Sequence, residues 1–314
     1  MSNEQNQIVS VQYLRGLAAL GVVLCHYGFF NAGQLGVDVF FMISGFIIVF
    51  SLDKSDYNPR YFFNFLLKRS IRIDPSYLVV IGLTFTLFWI LSLIPNYGAH
   101  AIIFTPGRFI ANVFYAIPFT NFKFYNSIFW TLSIEFQFYI IIGLLYFSRA
   151  KQFYKAVFII GFSLTCFIPP CIPYSFVFYY APIFALGMAL NTFYQNREAV
   201  NALLPLALLS FIAYQFGIDI FILMSVSCLI LLYFQTTIKQ LSFLGDISYS
   251  LYLTHGLTLI VMLGVFKSLQ IHTDHYRFFW LITEVSIALS VAYLFYISIE
   301  KPTSKLSKRI KIKG

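Results

Sequence analysis

Charge is what this 314-residue sequence has least of: 11% Asp, Glu, Lys and Arg, against 59% hydrophobic residues. Soluble domains carry about a quarter charged residues, and a water-soluble fold of this length cannot hide so much apolar surface. A bilayer can, because lipid solvates the outward faces. Acidic residues are scarcer still, 12 against 21 Lys and Arg, for a net charge of +9. The basic residues gather in short segments between apolar runs and in the C-terminal tail, as they do in cytoplasmic loops of membrane proteins. No basic stripe with interleaved aromatics offers itself to nucleic acid. The four cysteines, Cys25, Cys166, Cys171 and Cys228, lie in or beside apolar runs without C-x-x-C spacing. Neither a disulfide framework nor a metal site is implied, and all four read as small buried hydrophobes. The first apolar run carries Arg15 and is not followed by a small-residue cleavage pattern, so it reads as a retained span and not as a signal peptide. No internal repeat, low-complexity tract or soluble domain is recognisable.

What the sequence has instead is apolar stretches of the length that crosses a bilayer as a helix, about 20 residues. Ten are read, at 9–31, 36–53, 76–94, 128–147, 153–171, 174–193, 201–216, 218–234, 241–266 and 278–299. The expectation is an all-α, polytopic transmembrane bundle of about ten spans, one membrane domain over 1–314 with a basic cytoplasmic tail at 301–314. With the N-terminus in the cytoplasm, sixteen basic residues fall on cytoplasmic segments and four on outer ones. That bias supports an even span count and cytoplasmic termini. Residues 54–75 read as a helix lying on the inner surface. The outer segment 95–127, with Pro95, Pro106 and Pro118, offers a partial helix over 101–119.

Ionisable groups inside spans are costly and usually face a cavity, a pathway or a partner. Arg15 and His26 lie eleven residues apart, which returns to nearly the same helix face about 16 Å along the axis. One stripe thus carries a permanent cation that can hold phosphate and, deeper, an imidazole that exchanges protons near neutral pH. Taken singly, each residue has a plainer reading: a snorkelling Arg and a His satisfied by a carbonyl. Asp38, in Gly36-Val-Asp-Val-Phe-Phe-Met-Ile-Ser-Gly-Phe46, either orients His26 or caps the next span. Ser44-Gly45 reads as a packing step more than a nucleophile. Glu135, in Trp130-Thr-Leu-Ser-Ile-Glu135, and His255, in Gly245-Asp-Ile-Ser-Tyr-Ser-Leu-Tyr-Leu-Thr-His255, fall at similar depth to His26 when the ten-span topology is imposed. Arg69 and Arg72 share a helix face and suit phosphates of a ligand or of lipid headgroups. Glu284 has no partner that the sequence names.

These segments, with Lys68-Arg-Ser-Ile-Arg-Ile-Asp-Pro75 and Glu300-Lys-Pro302, resemble the acyltransferase 3 family of multispan membrane proteins, in the family's order and over nearly the whole chain. The resemblance implies O-acylation, usually O-acetylation, of a hydroxyl on lipopolysaccharide, capsule, exopolysaccharide or peptidoglycan. It implies acetyl-CoA or another acyl-CoA as cytoplasmic donor substrate, with no permanently bound cofactor, and residence in a bacterial inner membrane. The family's essential Arg and His map onto Arg15 and His26. On this reading the catalytic set is His26, Asp38 and Glu135; Arg15, Arg69 and Arg72 hold the donor; Trp130, Tyr252 and His255 face the acceptor. Homo-oligomerisation is left open. Many relatives add an extracytoplasmic hydrolase-like domain, which is not expected here. The rival expectations are a proton-coupled transporter, to which buried Arg, His, Asp and Glu are equally suited, and a non-catalytic factor in glycan export.

Overall fold

The computed structural model describes residues 8–29, 33–93, 104–168, 175–269 and 277–312. Cys171, Pro95, residues 101–103 and the far ends of several predicted spans lie outside them. Among the described residues the chain is helical, with no strand. Twelve α-helices run in order: α1 Val9–His26, α2 Gly33–Lys54, α3 Phe62–Ser92, α4 Pro106–Val113, α5 Phe129–Leu145, α6 Gln152–Leu164, α7 Ala181–Gln195, α8 Ala199–Phe216, α9 Ile218–Tyr233, α10 Lys239–Ser268, α11 Arg277–Phe295 and α12 Lys301–Ser307.

Each of the ten apolar stretches contains a helix. Among the described residues, six helical segments are long and apolar enough to cross a membrane: Val9–His26, Leu35–Lys54, Pro59–Ser92, Ala199–Phe216, Lys239–Phe266 and Arg277–Ser307. Three more, Phe129–Leu145, Gln152–Phe167 and Ile218–Tyr233, are apolar but shorter. The chain is an all-helical, multispan membrane protein. Its lipid-facing surface is correspondingly apolar, with side chains such as Phe63, Trp89, Tyr214 and Phe278 at 60% exposure or more.

One expectation is corrected. The inner-surface helix and the third span are a single 31-residue helix, α3, which passes through Pro75. A proline inside a helix forfeits one backbone bond and crowds the carbonyl four residues back. Here the helix is held on both sides of that defect by buried Phe65 before it and Ser76, Tyr77, Val80 and Ile81 after it. The start of α3 is set by Asn58, whose side chain accepts from the Arg60 amide at 3.0 Å and caps the 3-10 turn Pro59–Tyr61. Among the described residues of the outer segment, the helical parts are α4 and a 3-10 turn, Ile117–Phe119.

The core is built on close backbone approaches at small residues. A Cβ on Gly45 of α2 would collide with the Phe184 carbonyl of α7, and one on Gly187 with the Met42 carbonyl. Gly16 of α1 faces Leu244 and Gly245 of α10 in the same way, and Gly245 meets the Gln12 carbonyl. Lipid gives two helices no hydrophobic reason to associate, so contact at this range is what dispersion requires. α7 is buried continuously from Ala181 to Asn191. At one end of the α2–α7 pair, Asp53 gathers a polar cluster. Its Oδ1 accepts from Lys155 at 2.7 Å and Tyr146 at 2.8 Å; its Oδ2 accepts from Asn191 at 2.9 Å and Gln195 at 3.1 Å. Every lone-pair direction of that carboxylate has a donor.

Substituting Gly45 or Gly187 with leucine is expected to lower stability by at least the ~1–3 kcal/mol of ordinary overpacking, because the obstacle is backbone. Gly82→Ala, which meets nothing within 4 Å, is expected to leave it unchanged. Melting of the detergent-solubilised protein, followed by loss of the monodisperse peak, measures both. Equal midpoints for all three variants would contradict the packing.

Candidate active site

A cavity of about 1030 Å³ occupies the middle of the bundle. Its walls come from α1, α2, α3, α5, α10 and the segment from Tyr296 to Ile312. One end carries Lys54, Lys68, Lys305 and Lys308. Ile8 and Ile312, the first and last described residues, line the same cavity.

Three predicted cations meet inside it. Arg15 projects from α1, and its charged neighbours are Arg72, Glu300, Glu135 and Asp246. Arg69 and Arg72 line the opposing wall from α3. The Arg69 guanidinium lies over the Phe65 ring at 5.6 Å and the Tyr139 ring at 5.7 Å, and its Nε has no hydrogen-bond partner among the described residues. Two arginines on one wall and a third facing them, one with an unused donor, are an arrangement suited to pairing with an anion.

Glu135 faces this cluster from α5. Its Oε1 accepts from the Ser44 hydroxyl at 2.7 Å and from Tyr139, one turn along, at 2.5 Å. Ser44 and Gly45 therefore divide the work: Gly45 packs as expected, whereas Ser44, read as a packing residue, orients a carboxylate at the cavity wall. Further in, the Tyr252 hydroxyl bonds Thr131 at 2.8 Å and donates to the Ile128 carbonyl at 3.2 Å; both side chains line the cavity.

Behind Tyr252 stand the two histidines. The rings of Tyr252 and His255 are 5.9 Å apart, and those of His255 and His26 are 5.0 Å apart. His255 is fully buried. Its Nδ1 pairs with the Tyr252 carbonyl at 2.7 Å, and its Nε2 has no partner among the described residues. The His26 Nδ1 pairs with the Val22 carbonyl at 2.9 Å. Each imidazole is thus anchored through one nitrogen, which leaves the other for chemistry. His26 is exposed at the end of α1 away from the lysines.

The structure thus divides the predicted set. Arg15, Arg69, Arg72, Glu135 and Tyr252 line the cavity; His26 and His255 form a pair just beyond it. Asp38 is buried in α2 at 3% exposure, and no hydrogen bond or ion pair joins it to His26 among the described residues. Trp130 belongs to an aromatic cluster instead, 5.8 Å from Tyr180 and 6.3 Å from Phe41. Glu284, which the sequence left alone, is buried 3.8 Å from Arg277, whose guanidinium also holds the Tyr27 carbonyl beside His26. Glu300 was not singled out. Its Oε2 accepts from the Ser250 amide at 3.1 Å and hydroxyl at 2.5 Å, in a π-helical turn, Tyr296–Glu300, that aims it at the cavity. The only signal for it was the Glu-Lys-Pro at the end of the last span.

The family model for an acyltransferase domain matches residues 8–299. A protein of Acidianus two-tailed virus named as a candidate acetyltransferase is 27% identical over 299 residues, which cover 83% of this chain and 86% of the viral protein. A candidate membrane-bound transacylase of Komagataeibacter xylinus, BcsY, is 31% identical over 44% of this chain and 37% of its own length. The O-acetyltransferase OatA of Staphylococcus aureus is 32% identical over 42% of this chain and 23% of its own. The match thus spans well under half of each of the last two proteins. No solved structure matches. None of these relatives is named as a carrier, and the transporter expectation finds no support in them.

The geometry makes a labelling prediction. In a background freed of native cysteines, Ser44→Cys is expected to react with an impermeant thiol reagent supplied on the lysine-bearing side, and His26→Cys with one supplied on the other. Reaction of both from a single side of sealed vesicles would contradict the division at Tyr252.

Proposed function

The chain belongs to the acyltransferase 3 family, and we propose that it moves an acetyl group from cytoplasmic acetyl-CoA to a hydroxyl of a surface or secreted glycan. The observation that carries this reading is the cavity itself: cationic at one end, lined by three arginines, and stopping one aromatic ring short of a histidine pair. A coenzyme thioester is a polyanion at one end and an uncharged acyl group at the other. The basic end is then the cytoplasmic one, as the charge bias of the sequence also has it, and both termini are cytoplasmic. The protein sits in a bacterial inner membrane.

In this account Arg69, Arg72 and Arg15 pair with the donor's phosphates. Eleven residues of α1 separate Arg15 from His26, about 16 Å, a distance for the pantetheine arm to cover. The Tyr252 ring moves aside to admit the thioester. The free Nε2 of His26 takes the proton of the acceptor hydroxyl as its oxygen attacks the thioester carbonyl. The C–S bond breaks, and the departing thiolate collects the proton that His26 took from the acceptor. Glu135, held by Ser44 and Tyr139, balances charge between the arginines and the reacting groups, and His255 supports His26 from behind. Tyr252 flanks the acceptor side. A covalent route, in which His26 is acylated first and then passes the group on, uses the same atoms.

Purified protein in nanodiscs with acetyl-CoA and a glycan acceptor tests the reading. His26→Ala is expected to lower turnover by about 10²–10⁴-fold, the usual worth of a general base, and Arg15→Ala to raise KM for the donor. Full turnover by His26→Ala would end the mechanism. In cells, mass spectrometry of the envelope glycans is expected to find O-acetyl groups that disappear with the gene, and an unchanged glycan profile would remove the acceptor class.

A further inference from the structure

The basic tail is part of the cavity wall. Helix α12 presents Lys301, Ser304, Lys305 and Ser307 to the cavity, and Lys308 at its C-cap joins them, with Lys301, Lys305 and Lys308 at i, i+4 and i+7 along one side. The helix is docked, not loose: Ser307 is 3% and Ile312 is 4% exposed, and the Asn64 amide of α3 reaches the Lys311 carbonyl at 3.5 Å. Lys54 from the end of α2 and Lys68 from α3 line the same cavity.

These five lysines differ from the arginines in what faces them. The carboxylates of the cavity, Glu135, Asp246 and Glu300, are the charged neighbours of Arg15, and Glu135 is also that of Arg69. None of the five lysines takes part in an ion pair among the described residues. Lys301 only approaches the Tyr296 ring, at 5.9 Å. Lys54, Lys301, Lys305 and Lys308 are exposed and Lys68 is half-buried, so water screens their mutual repulsion, and an anion at the aperture they share is attracted by all of them together. Lysine is a compact point charge on a flexible stem and suits a solvated phosphomonoester more than a bidentate, planar contact.

We infer that Lys54, Lys68, Lys301, Lys305 and Lys308 form a second phosphate subsite at the cavity mouth, which holds the 3′-phosphate of the donor's ribose. This rests on the acyl-CoA reading and extends it. The arginines within take the diphosphate, and the lysines outside take the separate phosphomonoester. The protein thereby selects coenzyme A over carriers that have the same pantetheine arm without that phosphate. The same side chains could bind a phosphorylated lipid headgroup, so the test separates the two sources.

The wild-type protein is assayed with acetyl-CoA and with acetyl-3′-dephospho-CoA, in nanodiscs of phosphatidylcholine alone and of phosphatidylcholine with phosphatidylglycerol. The wild type is expected to favour acetyl-CoA by about tenfold or more in kcat/KM, carried in KM, since a charge-assisted phosphate contact is worth about a factor of ten. In the triple variant Lys301→Gln, Lys305→Gln, Lys308→Gln that ratio is expected to fall toward one, and in the matching Lys→Arg variant to return. A ratio measured within one preparation is insensitive to partial loss of folded protein. A wild-type ratio of one, or a ratio that the Gln variant retains, overturns the subsite. A preference that exists in neither lipid but an activity that the Gln variant loses only with phosphatidylglycerol assigns the lysines to headgroups and likewise overturns it. If the wild type turns over neither thioester while a different acyl donor is used, the acyl-CoA reading itself fails, which is a separate result from failure of the subsite.

Discussion

The contact between α1 and α10 is the constraint on which the rest of the site depends. Gly16 and Gly245 let two membrane helices approach at backbone range, where a single Cβ on either would strike the other helix. From that contact the two helices run outward to His26 and His255, with rings 5.0 Å apart, and inward to Arg15 beside Asp246. A wider spacing would separate the imidazoles and open the cavity to lipid. The second close pair, α2 with α7 through Gly45 and Gly187, does the same for the opposite wall. It fixes Ser44, the neighbour of Gly45, where its hydroxyl meets Glu135.

Electrostatics then sorts the interior. Burying an unpaired charge in hydrocarbon is costly, so cations inside a bundle imply either carboxylates or a visiting anion. The arginines have both: carboxylates nearby and unused donors, of which the Arg69 Nε is the clearest. The Asp53 cluster supplies a contrast within the same protein. There a carboxylate, a lysine, a tyrosine and two amides satisfy one another completely, which is what a structural polar network looks like. The cavity is not built that way.

Much of this was legible in the sequence because lipid imposes a simple grammar. Apolar runs mark helices, and each of the ten was found as one. Arg15, Arg69, Arg72 and Glu135 could be singled out because each is expensive where it stands, and all four line one cavity. The failures came from what periodicity does not encode. Pro75 suggested a break, and tertiary packing on both sides of it carried α3 through. Equal depth suggested one layer for His26, Glu135 and His255, but depth along a helix says nothing of which side groups intervene, and Tyr252 intervenes. Glu300 and the α12 lysines sit at the end of the last span, where charge is ordinary and reads only as the start of a basic cytoplasmic tail. The π-helical turn aims Glu300 at the cavity, and the docking of α12 against α3 turns the lysines toward it.

The account stands on the coenzyme entering from the lysine-bearing end and laying its arm toward Tyr252. An experimental structure of the protein with bound CoA tests that directly. The predicted result has the phosphates against Arg69 and Arg72 and the thiol against Tyr252. Coenzyme bound at the His26 end, or no coenzyme in a cavity sealed from the lysines, would contradict it.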